Sequence, residues 1–380
     1  NRKSGCGMSY RDLHIKPYDK GTITKLEIFE DYAQAWIPTF VMQSSRFPEI
    51  HIFDFFSGPG YDSENVPGSP IRILQKVNEQ LGSILAKKTK IVLHFNEFEP
   101  TKKGQEKFEL LKENCEAFIA DNPKFKYFLS VNYYNENAEQ IFFKLLPQIK
   151  KFPSLVYLDQ NGVKFISQEY LSELEKLKTT DFLYFVSSSY FKRLGGTDEF
   201  KKVLEIDMAE LEREAYRNMH RLVLNKIKSR LPISTELKLF PFSIKKNANI
   251  YGIVFGAKNY AAVDKFLDIS WKRNSVNGEA DFDIDEDSSK IQLDMFEGKK
   301  MTKIEKFQQE FEKHLIQGNF PDNKSALIYT YSCGHIPKHA VDIIRKLKKD
   351  KKIDYVGTTP ALNYENVFRK RHIVNYTIKS

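Results

Sequence analysis

The sequence predicts a doubly wound α/β sheet that closes in an antiparallel hairpin, followed by a smaller basic domain of helices and a β-wing. Three observations predict it. Strand-length apolar runs alternate with helical periodicity five times, two strand-like runs then follow with no room for a helix between them, and residues 301–380 turn to basic amphipathic helices.

Leu26, Phe29, Ala33, Trp36, Ile37 and Phe40 fall on one face of an N-terminal helix that Pro48 bounds. Strand 51–56 then leads into a loop with Gly58, Pro59, Gly60, Pro67, Gly68 and Pro70, and a helix follows from about Ile71. Strand 90–98 precedes a helix with Phe108, Leu111, Cys115 and Phe118 at helical spacing, so Cys115 reads as a small core residue. Strand 125–132 precedes a helix near 137–150, strand 154–159 one near 167–177, and strand 181–187 a long charged one near 198–228. Such βα alternation implies parallel strands. Glu236–Lys245 and Ile250–Ala257, joined by Lys246-Asn247-Ala248-Asn249, read as a hairpin. The expected domain limits are 1–48 for the helical segment, 49–275 for the sheet domain, 276–300 for an acidic linker and 301–380 for the basic domain.

A chain of 380 residues, 41% hydrophobic and 13% aromatic, has material for two or three packed domains. No run approaches the roughly eighteen apolar residues of a membrane span, and no charged-then-apolar leader opens the sequence. Cys6, Cys115 and Cys333 lie far apart, which argues for a reducing compartment. The expectation is a cytoplasmic protein with no membrane partner. The net charge of +9 is unevenly placed: residues 301–380 hold fifteen Lys/Arg against eight Asp/Glu and so carry +7 of it. A compact basic domain beside a cofactor fold points to a polyanion, with nucleic acid, DNA or RNA, as the first candidate.

The chemistry concentrates after the first two strands. In Ile52-Phe53-Asp54-Phe55-Phe56-Ser57-Gly58-Pro59-Gly60-Tyr61 an apolar run carrying an acid breaks into a Gly-x-Gly turn, where backbone N–H groups can approach a ligand closely. The second run ends in Asn96-Glu97-Phe98-Glu99-Pro100, placing an acid where cofactor-binding α/β folds hold ribose hydroxyls. Five βα units finished by an antiparallel hairpin are the signature of the class I methyltransferase fold, whereas a nicotinamide-binding domain would continue with parallel strands.

On these residues the chain resembles the three-Cys-motif partner family, methyltransferase-like bacterial proteins encoded beside a protein bearing a three-cysteine motif. The likeness rests on Lys25 to Trp36, on Phe53 to Gly60 with Gly68-Ser69-Pro70, on Asn96 to Pro100, on Leu158-Asp159-Gln160-Asn161-Gly162 and on His335-Ile336-Pro337-Lys338-His339-Ala340. The resemblance implies S-adenosylmethionine as cofactor, with Asp54 orienting its aminoacyl end, Gly58 and Gly60 giving it close backbone approach, and Glu97 accepting from both ribose hydroxyls. Asn135 or Asn137 would lie near the adenine. Asp159 would be the catalytic residue, holding a reacting group of the substrate in line with the methyl. Amino-methylating enzymes of nucleic acid follow that acid with two prolines and an aromatic that grips a flipped base, and here Gln160-Asn161-Gly162 follows instead. No cysteine stands in that loop, which argues against cytosine-C5 chemistry.

In the C-terminal domain Ile304, Phe307, Phe311 and Leu315 mark one helix. Ala340, Ile343, Ile344 and Leu347 mark a second, with Lys338, His339, Arg345, Lys346, Lys348 and Lys349 on its other faces. Strands Ile353–Val356 and His372–Ile378, joined by a basic loop with Arg369-Lys370-Arg371, complete a winged helix. Such a domain places one helix in the major groove and the wing on the backbone, so Lys338, Arg345, Lys346, Lys349, Arg369 and Arg371 are the candidate nucleic-acid contacts. Cys333, His335 and His339 lack a fourth ligand of suitable spacing, and no metal is expected. Asp281 to Asp287 reads as a flexible acidic linker, leading into Gln292-Leu293-Asp294-Met295-Phe296, which resembles the peptide by which bacterial proteins dock on the replication sliding clamp. The expected function is a methyltransferase-like protein acting on nucleic acid with the three-cysteine neighbour. The alternative is a non-catalytic nucleic-acid- or protein-binding subunit, in an anti-phage module, that uses the fold as a scaffold.

Overall fold

A computed structural model describes residues 16–159, 167–187, 219–246, 249–288 and 301–379. Two compact units divide the chain, Asn1–Gln148 and Ile149–Ser380.

In the first unit, helix α1 (Lys20–Val41) starts where the Asp19 side chain accepts a hydrogen bond from Thr22 N–H at 2.9 Å. Its helical stripe buries Leu26, Phe29, Ala33, Trp36 and Ile37, while Phe40 is half-buried with its ring 4.8 Å from that of Trp36. Glu30 pairs with Arg72 and Lys76 of helix α2 (Ser69–Glu79), fixing the two helices beside each other.

Strands β1 (Glu49–Asp54), β2 (Lys90–Asn96) and β3 (Leu129–Tyr134) pair in parallel, Asp54 opposite Phe95 and Asn96 opposite Tyr134. β1 and β2 are buried along almost their whole length, as strands covered on both faces must be. β3 begins four residues later than the sequence suggests. Pro123–Tyr127 winds into a 3₁₀ turn, opened by the proline and anchored by buried Phe125, and only Leu129 onward is extended. Helices α3 (Leu81–Lys87), α4 (Lys102–Ala120) and α5 (Ala138–Lys151) complete the βα connections. Cys115 of α4 is a core residue, as its spacing predicts, and burial pushes its thiol up to about 12.

The second unit carries β4 (Ser154–Leu158), α6 (Gln168–Lys176), β5 (Thr180–Ser187), α7 (Met219–Ser229), β6 (Lys238–Lys246) and β7 (Asn249–Ala257). β4 and β5 are parallel, while β7 runs antiparallel to both β5 and β6, so the expected hairpin closes the sheet. Two glycines of β7 make room for neighbours: a Cβ on Gly256 would stand 2.0 Å from the Phe182 ring, and one on Gly252 2.2 Å from the ring of buried His220. The strand order is β3-β2-β1-β4-β5-β7-β6, an α/β sheet of the methyltransferase type. Residues 160–162, the first part of the helix expected over 198–228, Cys6 and Gln292–Phe296 lie outside the described residues.

Helix α8 (Tyr260–Arg273) follows the hairpin, and α9 (Lys303–Ile316), α10 (Asn323–Ser332) and α11 (Pro337–Lys349) build the C-terminal part. α9 opens on a capping box between Thr302 and Glu305 and buries Phe307, Phe311 and Leu315; α11 buries Ala340, Ile343, Ile344 and Leu347. The expected wing is smaller than the sequence suggests. β8 (Ile353–Asp354) and β9 (Thr377–Ile378) pair over two residues each, and Arg369 stands on a helical turn, Glu365–Arg369, rather than in an open loop. The reason lies in Asn323: fully buried, it donates to Ala361 O and His372 O and accepts from Val374 N–H, which holds residues 361–374 against α10 instead of in a hairpin.

The acidic run 281–287 is anchored where a flexible linker was expected. Asp281 accepts from Lys245 N–H at 2.8 Å, Asp285 takes both Arg221 Nη groups at 2.7 and 2.8 Å, and buried Asp287 accepts from Lys303 N–H at 2.9 Å. Its negative charge is met by a guanidinium and by backbone N–H groups, so the segment packs. Among the described residues no helix is long and apolar enough to cross a membrane.

Candidate functional site

The first unit brings the glycine turn and the acid of the second strand into direct contact. Gly58 and Gly60 have φ of 65° and 99°, values open to glycine at little steric cost, and Gly58 N–H donates to Glu97 Oε2 at 2.9 Å. The turn is pinned on its other sides as well. Gly68 N–H donates to Gly60 O at 2.8 Å, Asn114 Nδ2 of α4 donates to Pro59 O at 2.7 Å, and a Cβ on Gly60 would come within 3.1 Å of the Asn114 Cβ. Asp62 closes the loop that follows, accepting from Glu64 and Val66 N–H with one oxygen and from Tyr18 N–H with the other.

Asp54 is 1% exposed. Its Oδ1 accepts from Phe56 N–H at 3.1 Å and its Oδ2 from Ser69 Oγ at 2.5 Å, so this carboxylate shapes the turn and ties it to the N-terminus of α2. Its spacing in the sequence suggests a ligand contact; its geometry is first that of a brace.

The two acids after β2 divide their roles. Glu99 is taken by Lys107 Nζ at 3.0 Å, a largely buried pair, and by Thr101 Oγ1 at 3.0 Å, while Gly104 leaves no room for a Cβ against the Glu99 carbonyl. Glu97 faces the glycine turn, and a carboxylate has lone pairs beyond the one used by Gly58. Between them in function stands Asn96, which sequence reasoning passed over. It is 2% exposed, donates from Nδ2 to Phe55 O at 3.1 Å and accepts on Oδ1 from Glu136 N–H at 3.1 Å, locking together the carboxyl ends of β1, β2 and β3. A polar residue ending an otherwise apolar strand was the available signal.

Asn137 is exposed, and its side-chain oxygen accepts from Glu139 N–H at 2.9 Å at the start of α5, so its carbonyl end is used as a helix cap. Asn135 Nδ2 donates to Gln105 Oε1 at 2.6 Å. Asp54, Gly58, Gly60 and Glu97 therefore converge, and Asn137 stands at the rim of the same edge. In the second unit Asp159 is half-buried and follows directly on β4.

The candidate nucleic-acid contacts are all on the surface. Lys338, Arg345, Lys346 and Lys349 are exposed on α11, and Arg369 and Arg371 are exposed beyond it. Their partners are weak: Lys346 reaches Glu312 at 3.9 Å and Arg369 pairs with Glu365 at 3.0 Å one turn away. Lys348, on the same helix, is used differently, donating to Tyr355 O at 2.7 Å and lying 3.8 Å over the Tyr355 ring. In the Cys333-x-His335-x-x-x-His339 stretch the two histidines are buried, while Cys333 is exposed. His335 and His339 share a hydrogen bond of 3.0 Å between their Nδ1 atoms, stacked by Phe307 and edged by Trp271, and burial followed by nearby Lys303 or Lys338 holds both well below the ordinary histidine range. Beside them Lys303, Lys306, Tyr329, Cys333 and His335 line a pocket of about 290 Å³, which shares no residue with the glycine-turn site.

The strand order, the turn after β1 and the acid after β2 define a methyltransferase-like α/β protein. No protein-family model matches the chain, and no curated protein does. Among solved structures it is similar to the O-methyltransferase TomG from Streptomyces achromogenes in complex with SAM, at 11% identity and a TM-score of 0.31 over 63% of this chain and 90% of that one. It is also similar to Trm1 from Pyrococcus horikoshii with S-adenosyl-L-methionine, at 11% identity and a TM-score of 0.35, covering 65% of this chain and 59% of Trm1, under two thirds of its length. Likeness at this level adds nothing to the topology read from the strands themselves.

Proposed function

We propose that the carboxyl edge of β1–β3 binds S-adenosylmethionine or its demethylated product, and that the protein is a methyltransferase-like factor directed at nucleic acid by its basic C-terminal part. The contact between Gly58 N–H and the Glu97 carboxylate carries the reading, because it sets the acid that follows β2 directly against the glycine turn that follows β1. In this assignment Glu97 accepts from the ribose hydroxyls and the Gly58–Gly60 backbone faces the methionine moiety. Asp54 and Ser69 hold the turn against which its aminoacyl end lies. Asn137 stands at the adenine end. The cofactor would supply the methyl group; Asp159 is the proposed catalytic residue, whose role would be to position the acceptor rather than to form a covalent bond.

Three helices followed by a short antiparallel pair support a winged-helix reading of residues 301–380, within the domain limits 48/49, 275/276 and 300/301. Exposed Lys338, Arg345, Lys346, Lys349, Arg369 and Arg371 supply its phosphate contacts. The three-cysteine neighbour is the proposed protein partner, Gln292–Phe296 the proposed clamp-binding peptide, and a bacterial cytoplasm the proposed location. The second reading, a non-catalytic subunit of a defence module, is favoured by Gln160-Asn161-Gly162, which offers no aromatic to grip a flipped base. Calorimetry with S-adenosylmethionine separates them: saturable binding supports the first reading, and silence at millimolar cofactor leaves only the second.

A further inference from the structure

One face of the parallel half-sheet carries a polar line that the assigned site does not use. His51 Nε2 is 2.8 Å from Glu49 Oε1, His51 Nδ1 is 2.9 Å from His94 Nε2, and His94 Nδ1 is 2.9 Å from the Tyr134 hydroxyl. His51 and His94 are 3% and 2% exposed, and Phe53 stacks on the His94 ring at 4.2 Å. By register His51 lies opposite Val92, His94 opposite Phe53 and Asn132, and Tyr134 opposite Asn96, so each step moves two residues toward the carboxyl edge. The line ends on β3, an edge strand of the sheet.

A proton arrangement with both histidines neutral and Glu49 ionised satisfies every bond. An ionised Glu49 accepts from His51 Nε2–H, leaving His51 Nδ1 to accept from His94 Nε2–H. His94 Nδ1 then accepts from the Tyr134 O–H. Burial, and then His51, hold His94 down at about 3, so it is neutral, and in this tautomer its Nδ1 accepts. The other charged groups at this line are Lys90, 3.3 Å from Glu49, and Glu136, which acts on Tyr134 after burial in pushing its hydroxyl up.

What makes the line more than a core feature is where its last residue sits. The Tyr134 carbonyl accepts from Glu97 N–H at 3.1 Å, and Glu97 in turn holds Gly58. An edge strand is tied by a ladder on one side alone, so its terminal residue depends on side-chain anchoring. We propose that Tyr134 is a positioning residue for Glu97, held by the Glu49–His51–His94 line, and that this line thereby sets affinity for the adenosine end of the cofactor. The inference deepens the cofactor reading and rests on it for its ligand.

The test uses the full chain with S-adenosylhomocysteine as probe, Tyr134→Phe and Glu97→Gln singly and together, and hydrogen exchange at the Glu97 amide. Tyr134→Phe removes one hydrogen bond and should weaken binding about three- to tenfold. In the Glu97→Gln background it should add less than about twofold, because the two residues act through one contact. Exchange at Glu97 N–H should quicken in Tyr134→Phe without cofactor. Additive losses, or unchanged exchange, overturn the proposal. Should the native protein bind no S-adenosylhomocysteine, the cofactor reading fails by itself, and the exchange result alone then upholds or overturns the positioning of Glu97 by Tyr134. Glu49→Ala, at the far end of the line, repeats the exchange test if Tyr134→Phe does not fold.

Discussion

The glycine-turn edge of the first unit and the basic surface of the C-terminal part are built on opposite principles. At the first, Asp54 and Asn96 are buried and the polar groups are fixed by hydrogen bonds to neighbouring elements: Asp54 to Phe56 and Ser69, Asn96 to Phe55 and Glu136, half-buried Glu97 to Gly58. At the second, cations stand in water on α11, with contacts as loose as the 3.9 Å between Lys346 and Glu312. Recognition by an arrangement of the first kind would depend on fixed geometry and tolerate little change. One of the second kind would act through summed field, in which no single residue is decisive and salt screens the whole.

The largest expected contrast comes from acid. In the C-terminal part His335 and His339 are both held below their ordinary 6.5 by burial, whereas the glycine-turn unit contributes His94. A histidine depressed by folding binds fewer protons in the native state, so its stabilisation is complete above about 6.5 and is lost as pH falls toward its folded value. Each adds a slope of about 1.4 kcal/mol per pH unit in that window, and two coupled groups give the C-terminal part the steeper loss. The two tryptophans report it separately, Trp36 from α1 and Trp271 from beside His339. With Trp36→Phe and Trp271→Phe as single-tryptophan variants, fluorescence at Trp271 should change at a higher pH than fluorescence at Trp36. Simultaneous transitions would remove this distinction.

Substitution within the braced edge comes next. Asn96→Ala leaves the Phe55 carbonyl and the Glu136 N–H without their buried partner, a loss of about 1–3 kcal/mol in unfolding free energy by denaturant titration. An alanine at exposed Lys346 should change that quantity by less than about 0.5 kcal/mol. Equal losses at the two positions would erase the contrast.

Much of the braced edge was legible because each of its parts leaves a local mark. Gly58 and Gly60 break an apolar run, Glu97 ends another, and βα alternation fixes where both runs end. Asn96 and Tyr134 were not legible, since their meaning lies in carbonyls and rings on other strands. The choice of Glu97 over Glu99 came from the resemblance; that Lys107, eight residues along, takes Glu99 was not legible. The C-terminal part shows the reverse. Its cationic faces could be counted, but α10 and the tether of Asn323 to residues 361–374 depend on long-range backbone contacts, so strands 353–356 and 372–378 with a basic loop were expected where two shorter strands and a helical turn stand. The acidic run failed for the same reason, because Arg221 and Lys303 reach it from distant elements.

The smallest expected effect is on the basic surface. Neutralising Lys346 and Lys349, or separately Arg369 and Arg371, should weaken nucleic-acid binding by the full chain roughly uniformly across sequences and lower the salt slope by about one per lost phosphate contact. Changes on α11 should also alter sequence preference if that helix enters a groove, whereas changes at Arg369 and Arg371 should chiefly reduce affinity. A salt slope unaffected by either pair would place the polyanion elsewhere or remove it.

Calorimetric titration of the full chain with S-adenosylmethionine, in parallel with Glu97→Ala, tests the cofactor assignment most directly. Saturable binding by the native protein, weakened by about 1.5–3 kcal/mol in the variant as hydrogen bonds to a charged group are lost, is the predicted result. Binding that Glu97→Ala leaves unchanged, or no binding at millimolar cofactor, would contradict it.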